Sequence, residues 1–112
     1  MRVLKYIVDN QIIKPDPNCD FNGLVPGTEG YVKVEFSFSP EWDNCNKVAA
    51  FFSQMGKEYK PQIVENDFCI IPNEALKKRS FKMQLIGSKQ NYKITTNKIV
   101  IKQNGGIYDE PS

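Results

Sequence analysis

The side chains available for chemistry are carboxylates, lysines, tyrosines and thiols, because the 112-residue chain contains no histidine. This absence removes the commonest general base and the nucleophile systems that depend on it. A pair of desolvated carboxylates would suit glycoside hydrolysis, and the candidates are Glu35, Glu41, Asp43, Glu65 and Asp67. All five lie at predicted turns or on a predicted solvent-facing strand side. The sequence therefore predicts a protein that is not an enzyme.

A run of acidic and amide residues from Asp16 to Gly23 resembles a calcium-binding loop in composition, with such side chains at alternate positions. A calcium loop of this type is followed by a second helix. Here Tyr31 and Val32 begin a predicted strand instead. The run is therefore interpreted as a turn rich in Asn and Asp.

The three cysteines, Cys19, Cys45 and Cys69, form no CxxC pair, and no histidine is present to complete a zinc site. Cys69 lies in the apolar run 68–71 and is expected to be a small buried hydrophobe. A Cys19–Cys45 disulfide is an open alternative, although reduced thiols are favoured. We expect no bound metal and no cofactor.

The charge balance is close to neutral, with 15 Lys and Arg against 13 Asp and Glu. Nucleic-acid binders usually carry a basic stripe and a higher pI, so a nucleic-acid partner is not expected. The densest basic run is Lys77-Lys78-Arg79, followed by Lys82. No stretch has the composition of a secretory signal or a membrane span, so a soluble protein without membrane association is expected.

Alternation of apolar and polar residues is clearest over 31–38 and predicts a half-buried strand. Shorter strands separated by turn residues recur along the chain, and 72–78 is the one helix-like segment, with Asn73 as its expected N-cap. The pattern predicts an all-β fold, an antiparallel β-sandwich of Ig-like or jelly-roll-like type with one short helix. The domain is expected to span 1–102, followed by a flexible tail at 103–112.

The expected core takes one face of each strand and the single tryptophan. In strand 47–53 both faces are apolar, and the face that contains Val48 is assigned to the core. The expected core residues are Val32, Val34, Phe36, Phe38, Trp42, Val48, Ala50, Phe52, Ile70, Leu76, Phe81, Met83, Leu85, Ile94, Ile99 and Ile101.

Candidate interface residues come from four places: the irregular loop 15–30, two strand-edge tyrosines, the basic run and the tail. Each has a structural alternative. The loop can be a crossover pinned by its apolar residues, the basic run can be a solvated edge, and the lysines and proline of 57–61 can prevent strand pairing. The candidates are Phe21, Leu24, Tyr59, Lys77, Lys78, Arg79, Lys82, Tyr92 and Tyr108.

Four short strings carry a resemblance to a known family: FSFSPEWD at 36–43, KVAAFF at 47–52, CIIPNEAL at 69–76 and YKITTN at 92–97. Over about residues 30–102 the chain resembles small β-sandwich domains of tail, baseplate and fibre proteins of bacteriophages that infect Firmicutes. In those proteins such a domain typically attaches a receptor-binding or fibre module to the virion. Trp42 and Pro72 are expected to set corners of the sandwich.

The resemblance implies a non-enzymatic virion protein of the tail, baseplate or head-fibre and decoration class. It would dock onto other virion proteins, form a homo-oligomer, and reside in the virion or the host cytoplasm. One alternative is a phage-encoded inhibitor that binds and blocks a host defence protein. A further alternative is a carbohydrate-binding module, which would need exposed planar aromatic rings.

Overall fold

Two β-sheets packed face to face make up the described part of the chain, residues 1–103 of a computed structural model. The predicted β-sandwich is thereby confirmed. The strands are β1 (Arg2–Asp9), β2 (Ile12–Pro15), β3 (Val32–Phe38), β4 (Asn46–Phe52), β5 (Gln62–Ile63), β6 (Phe68–Ile70), β7 (Ser80–Lys89), β8 (Tyr92–Thr95) and β9 (Ile99–Lys102), with a 3-10 turn (Pro40–Trp42) after β3 and a helix, α1 (Asn73–Leu76), before β7.

Sheet A has the strand order β2-β1-β3-β6 and contains one parallel pair. Strands β1 and β3 run in the same direction, with Arg2 opposite Val32 and Val8 opposite Phe38. The other strand pairs within residues 1–103 are antiparallel, as expected. Strand β2 already brings the chain back toward the start of β1, with Pro15 opposite Tyr6, so the connection to β3 needs only a crossover from one side of β1 to the other. The segment 16–31 is that crossover.

The crossover 16–31 is held against the sandwich by hydrogen bonds and an aromatic contact. The backbone N–H of Gly27 donates to the carbonyl of Leu76 at 2.8 Å. The rings of Tyr6 and Phe21 lie 5.2 Å apart and tilted. The long loop is therefore a packed part of the fold.

Sheet B has the order β5-β4-β7-β8, and β9 also pairs with β7. Strand β4 occupies one side of β7, so β8 and β9 share the other side, one after the other. Thr96 bridges the gap between them. Its backbone N–H donates to the Leu85 carbonyl at 3.0 Å, and its hydroxyl oxygen accepts the Leu85 N–H at 3.0 Å. A side-chain oxygen thus replaces the main-chain acceptor that a continuous strand would supply.

Replacing Thr96 with valine is expected to lower the free energy of unfolding by about 2 kcal/mol, because a buried N–H loses its acceptor. The residue is 5% exposed, so water cannot take the place of the hydroxyl. Urea unfolding followed by circular dichroism measures the change. Thr95→Val is the matched control, because Thr95 lies on the solvent side of sheet B opposite Ile86. Equal losses in the two variants would contradict the assignment.

The core fills the space between the sheets. Phe38, Ile94 and Ile99 are partly buried and pack against it. The predicted core residues that are confirmed as buried are Val32, Val34, Phe36, Trp42, Ala50, Leu76, Phe81, Met83, Leu85 and Ile101.

Four core predictions are wrong in the face they assign: Val48, Ala50 and Phe52 in β4, and Ile70 in β6. In β4, Ala49 and Phe51 point inward at 0% exposure, so Val48, Ala50 and Phe52 lie on the outer side, where Ala50 is nevertheless buried. Phe51 pairs with Met83, whose side chain also points inward. In β6, Ile70 is 53% exposed, because the core is filled there by Cys69 and Ile71.

The predicted short helix is present as α1, but Asn73 does not cap it. Pro72 occupies the N-cap position, and the Asn73 carboxamide oxygen accepts the Gly30 N–H at 3.1 Å.

Gln103 is 2% exposed and donates its backbone N–H to the Arg79 carbonyl, so it belongs to the folded domain rather than to the tail. The rest of the predicted tail lies outside the described residues. Within residues 1–103, no helix has the length and apolar character needed to cross a membrane.

Candidate docking face

The outer face of sheet B is the side of that sheet directed away from the core. Successive strand residues point to opposite faces, so the inward direction of Ala49 and Phe51 places their neighbours outward. Strand pairing then fixes the rows that cross this face. The rows are Ile63–Val48–Ile86–Thr95, Ala50–Gln84, Glu58–Phe52–Lys82–Val100, Ser80–Lys102 and Asn46–Ser88–Lys93.

This face is unusually apolar for the solvent side of a sheet. Ile63 is 69% exposed and Val100 is 43% exposed, while Val48, Phe52 and Ile86 are half-buried. An antiparallel sheet with one face on the core normally carries polar residues on the other face. Contiguous exposed apolar residues with a polar rim are typical of an interaction site.

The same face carries an excess of positive charge. The lysines that accompany its apolar rows are Lys82, Lys93, Lys98 and Lys102. The Lys98 ammonium lies 4.1 Å from the centre of the Phe52 ring, a cation–π contact. Glu58, opposite Phe52, is the carboxylate that the registers place on this face. Among residues 1–103, no ion pair involves any of these lysines.

The outer face of sheet A differs in both respects. Its charges are mixed, and Lys5 lies 3.8 Å from the Glu35 carboxylate. Its large exposed apolar residues, Ile12 and Ile70, are separated by the polar outward residues of β3, Lys33, Glu35 and Ser37. On sheet B, the half-buried Val48 and Ile86 continue the apolar row from Ile63. The outer face of sheet B is therefore the stronger candidate for a docking face.

The FSPEWD segment has a structural role at a corner of the sandwich. Trp42 is 0% exposed, and its indole N–H donates to the Asn10 carbonyl at 2.8 Å. A Cβ atom at Gly87 would lie 2.7 Å from the Trp42 ring. Pro72 is also buried, and its carbonyl accepts the N–H of Ala75 at the start of α1. The corner positions expected for Trp42 and Pro72 match these contacts, and neither side chain offers a binding surface.

Phe21 and Leu24, proposed as interface residues, pin the crossover to the sandwich. Leu24 is 5% exposed and belongs to the core cluster, and Phe21 is half-buried against it. Both line a shallow cleft together with Tyr6 and Val100. These contacts match the alternative in which the loop is a pinned crossover.

The two candidate tyrosines do not present free aromatic faces. Tyr59 is 5% exposed, and burial raises the pKa of its phenol. Tyr92 donates its hydroxyl to the Glu41 carboxylate at 3.1 Å, and the Lys89 ammonium lies 4.8 Å above its ring. Desolvation and that hydrogen bond raise the pKa of Tyr92. Neither ring is a free platform for a sugar.

The basic run is divided between two places. Lys77 and Arg79 are exposed and Lys78 is half-buried after α1, where the Lys78 carbonyl accepts a hydrogen bond from the Gln103 carboxamide at 2.8 Å. Lys82 alone lies on the outer face of sheet B. Tyr108, the remaining candidate, lies outside the described residues.

The Asn- and Asp-rich run forms turns rather than a cation site. Glu29 stands six residues after Gly23, where a calcium loop places its glutamate. However, the Arg2 guanidinium donates to the carbonyls of Asp20 and Asn22 at 2.8 and 2.7 Å and places a positive charge beside the loop. The Asp20 carboxylate also accepts the Asn22 N–H at 2.8 Å, as in an Asx turn.

None of the three thiols forms a disulfide, and burial makes Cys69 a weak nucleophile. All three cysteines are free, and burial raises the pKa of Cys69 to about 12. A thiol with that pKa is protonated at neutral pH and is a weak nucleophile. Among residues 1–103, no group of three or more Cys, Asp or Glu side chains is placed to hold a metal ion.

Sequence reasoning missed most of the docking face. It assigned Val48 and Phe52 to the core and did not single out Ile63, Ile86 or the lysines of β8 and β9. One signal was available: strand 47–53 is apolar on both faces. Such a strand predicts a covered outer face as well as a core.

The comparisons with known proteins identify no relative of this chain. No protein-family model, curated protein or solved structure matches this chain.

Proposed function

We propose that this protein is a non-enzymatic component of a bacteriophage particle that docks onto another virion protein through the outer face of sheet B. The observation that carries the proposal is the apolar row Ile63–Val48–Ile86 on a sheet face that has no cover within residues 1–103. Removing such surface from water favours association by about 25 cal/mol per Å² of apolar area. The particle assignment itself comes from the resemblance of residues 30–102 to phage β-sandwich domains.

A binding role agrees with the chemistry of the described residues. Burial raises the pKa of the Cys69 thiol and keeps it protonated at neutral pH. Tyr59 is buried and the Tyr92 ring is covered by Lys89, which weighs against a sugar-binding role. Protein–protein docking needs none of these groups, and the apolar face supplies the surface for it.

The experiment for this proposal is affinity purification of the tagged protein from an infected bacterial lysate, with sizing of the free protein. We expect capsid, collar or baseplate proteins to co-purify, and the free protein to be a homo-oligomer. Recovery of a single host protein in stoichiometric amount would overturn the virion assignment and make the protein an inhibitor of that host protein.

Replacing Ile63 with glutamate is expected to abolish this co-purification and to change the free energy of unfolding by less than about 0.5 kcal/mol, as is usual for an exposed site. The substitution places a charge at the most exposed apolar position of the docking face. Met55→Glu is the matched control, because Met55 is 82% exposed in the turn after β4. Retained docking by Ile63→Glu, or equal loss in both variants, would refute the role of this face.

A further inference from the structure

We infer that the surface that docks on the outer face of sheet B is an acidic and apolar protein surface, with its carboxylates opposite the lysines of β7, β8 and β9. The inference rests on the proposed function and names the class of partner for the same face. Its basis is the joint placement, on one side of the sheet, of an apolar row and lysines that form no ion pair within residues 1–103.

Lysines lie on both sides of the apolar row along β7. The row Ile63–Val48–Ile86 is free of charged side chains. Lys82 lies two residues along β7 from Gln84, next to Val100, and Lys102 lies in the following row. Lys93 lies in the next row on the other side, Asn46–Ser88–Lys93. A complementary partner therefore places apolar side chains opposite the apolar row and carboxylates on both sides of it.

Lys98 brings a positive charge into contact with an apolar residue of this face. Its ammonium lies 4.1 Å above the half-buried Phe52 ring, and it forms no ion pair within residues 1–103. A partner carboxylate that draws this ammonium aside gains a charge-assisted hydrogen bond. The same movement exposes the Phe52 ring for apolar contact. Docking then combines an ionic and an apolar gain at one position.

A second copy of this chain is a poor occupant of the face. Stacking two copies face to face would bring two sets of four lysines together, and each set has Glu58 as its carboxylate. Like charges brought together in an interface suppress that pairing. The homo-oligomer expected for this protein would therefore use another surface.

Nucleic acid and anionic lipid also fit this face less well. Single-stranded nucleic acid binds by stacking bases on exposed aromatic rings, whereas Phe52 is half-buried beneath Lys98. Surface-bound membrane proteins insert Trp, Phe or Leu, and none of these types protrudes from the outer face of sheet B. The flat apolar row matches another protein surface better.

The test is selection of binders to the whole protein from a random peptide library displayed on yeast. We expect the enriched peptides to combine Asp or Glu with apolar residues, and their binding to weaken as the salt concentration rises. Enriched peptides that are neutral or basic would overturn the inference.

A selected peptide is then measured against matched variants. Lys82→Gln/Lys98→Gln is expected to weaken its binding about tenfold at low salt. Lys5→Gln/Lys14→Gln removes the same charge from the outer face of sheet A and should leave binding within about twofold. Thermal unfolding of both double variants checks that they are folded. If the two double variants bind the selected peptide equally well, the inference is overturned.

Two further probes distinguish the other classes of partner: a single-stranded oligothymidine and vesicles of phosphatidylcholine with phosphatidylserine. Tighter binding to either probe than to the selected peptide would overturn the assignment to a protein partner.

Failure of this inference is separable from failure of the proposed function. Co-purification with virion proteins together with a non-acidic peptide preference defeats the inference alone, whereas acidic selected peptides without virion proteins defeat the function alone.

Discussion

Replacing Trp42 with alanine is expected to lower the free energy of unfolding by about 4 kcal/mol, the range of large-to-small substitutions in cores. The side chain is 0% exposed and its ring lies 5.3 Å from that of Phe38. Its indole N–H donates to the Asn10 carbonyl at 2.8 Å, so the substitution also removes a hydrogen bond between the 3-10 turn and the β1–β2 turn. The lost stability therefore has three sources: the cavity that the substitution creates, the missing contact with the Phe38 ring, and the Asn10 carbonyl that no longer accepts the indole N–H.

Urea unfolding followed by far-ultraviolet circular dichroism measures this loss, since the variant has no tryptophan fluorescence. Tyr31→Ala serves as the control, because Tyr31 is 50% exposed and its loss should cost about 0.5 kcal/mol or less. A Trp42→Ala loss below about 1.5 kcal/mol would mean that the corner is not rigidly packed. The result would then favour a ligand-facing role for the ring.

The sandwich could be predicted from the sequence because most of its strands have one apolar face. In β3, Val32, Val34 and Phe36 all point inward, as their alternation predicts. In β4 alternation cannot decide, because Val48 and Ala49 are both apolar. The pairing with β7 decides, and that pairing joins residues 30 or more positions apart in the sequence.

The parallel pairing of β1 with β3 could not be predicted from local pattern either. A strand's alternation is the same whether its neighbour runs parallel or antiparallel. The information lies in the length of the crossover 16–31 and in its anchors, such as the hydrogen bond from Gly27 to Leu76. These contacts exist only in the assembled sandwich.

The docking face was missed for a related reason. Its lysines lie on or beside three strands, and each appears unremarkable in its own segment of the sequence. Only the registers bring Lys82 beside Val100 and place Lys98 over Phe52. A charge pattern that crosses strands is a property of the sheet, so sequence spacing alone does not contain it.

Replacing Gly87 with valine is expected to lower the free energy of unfolding by about 3 kcal/mol through overpacking. A Cβ atom at this position would lie 2.7 Å from the Cε3 and Cζ3 atoms of Trp42 and 3.1 Å from Cγ2 of Ile94. The Trp42 ring cannot move easily, because it is buried and held by its hydrogen bond to Asn10. The variant is compared with wild type by the same urea unfolding.

A double-mutant cycle tests whether Trp42 is the obstacle. Because a phenyl ring lacks the outer six-membered ring of the indole, Trp42→Phe leaves space for the valine. We expect Gly87→Val to cost at least about 1 kcal/mol less in the Trp42→Phe background than in wild type. Equal costs in both backgrounds would assign the clash to Ile94 instead. Coupling of the expected sign would establish that Gly87 is required at this position because the indole of the FSPEWD corner occupies the space of its side chain.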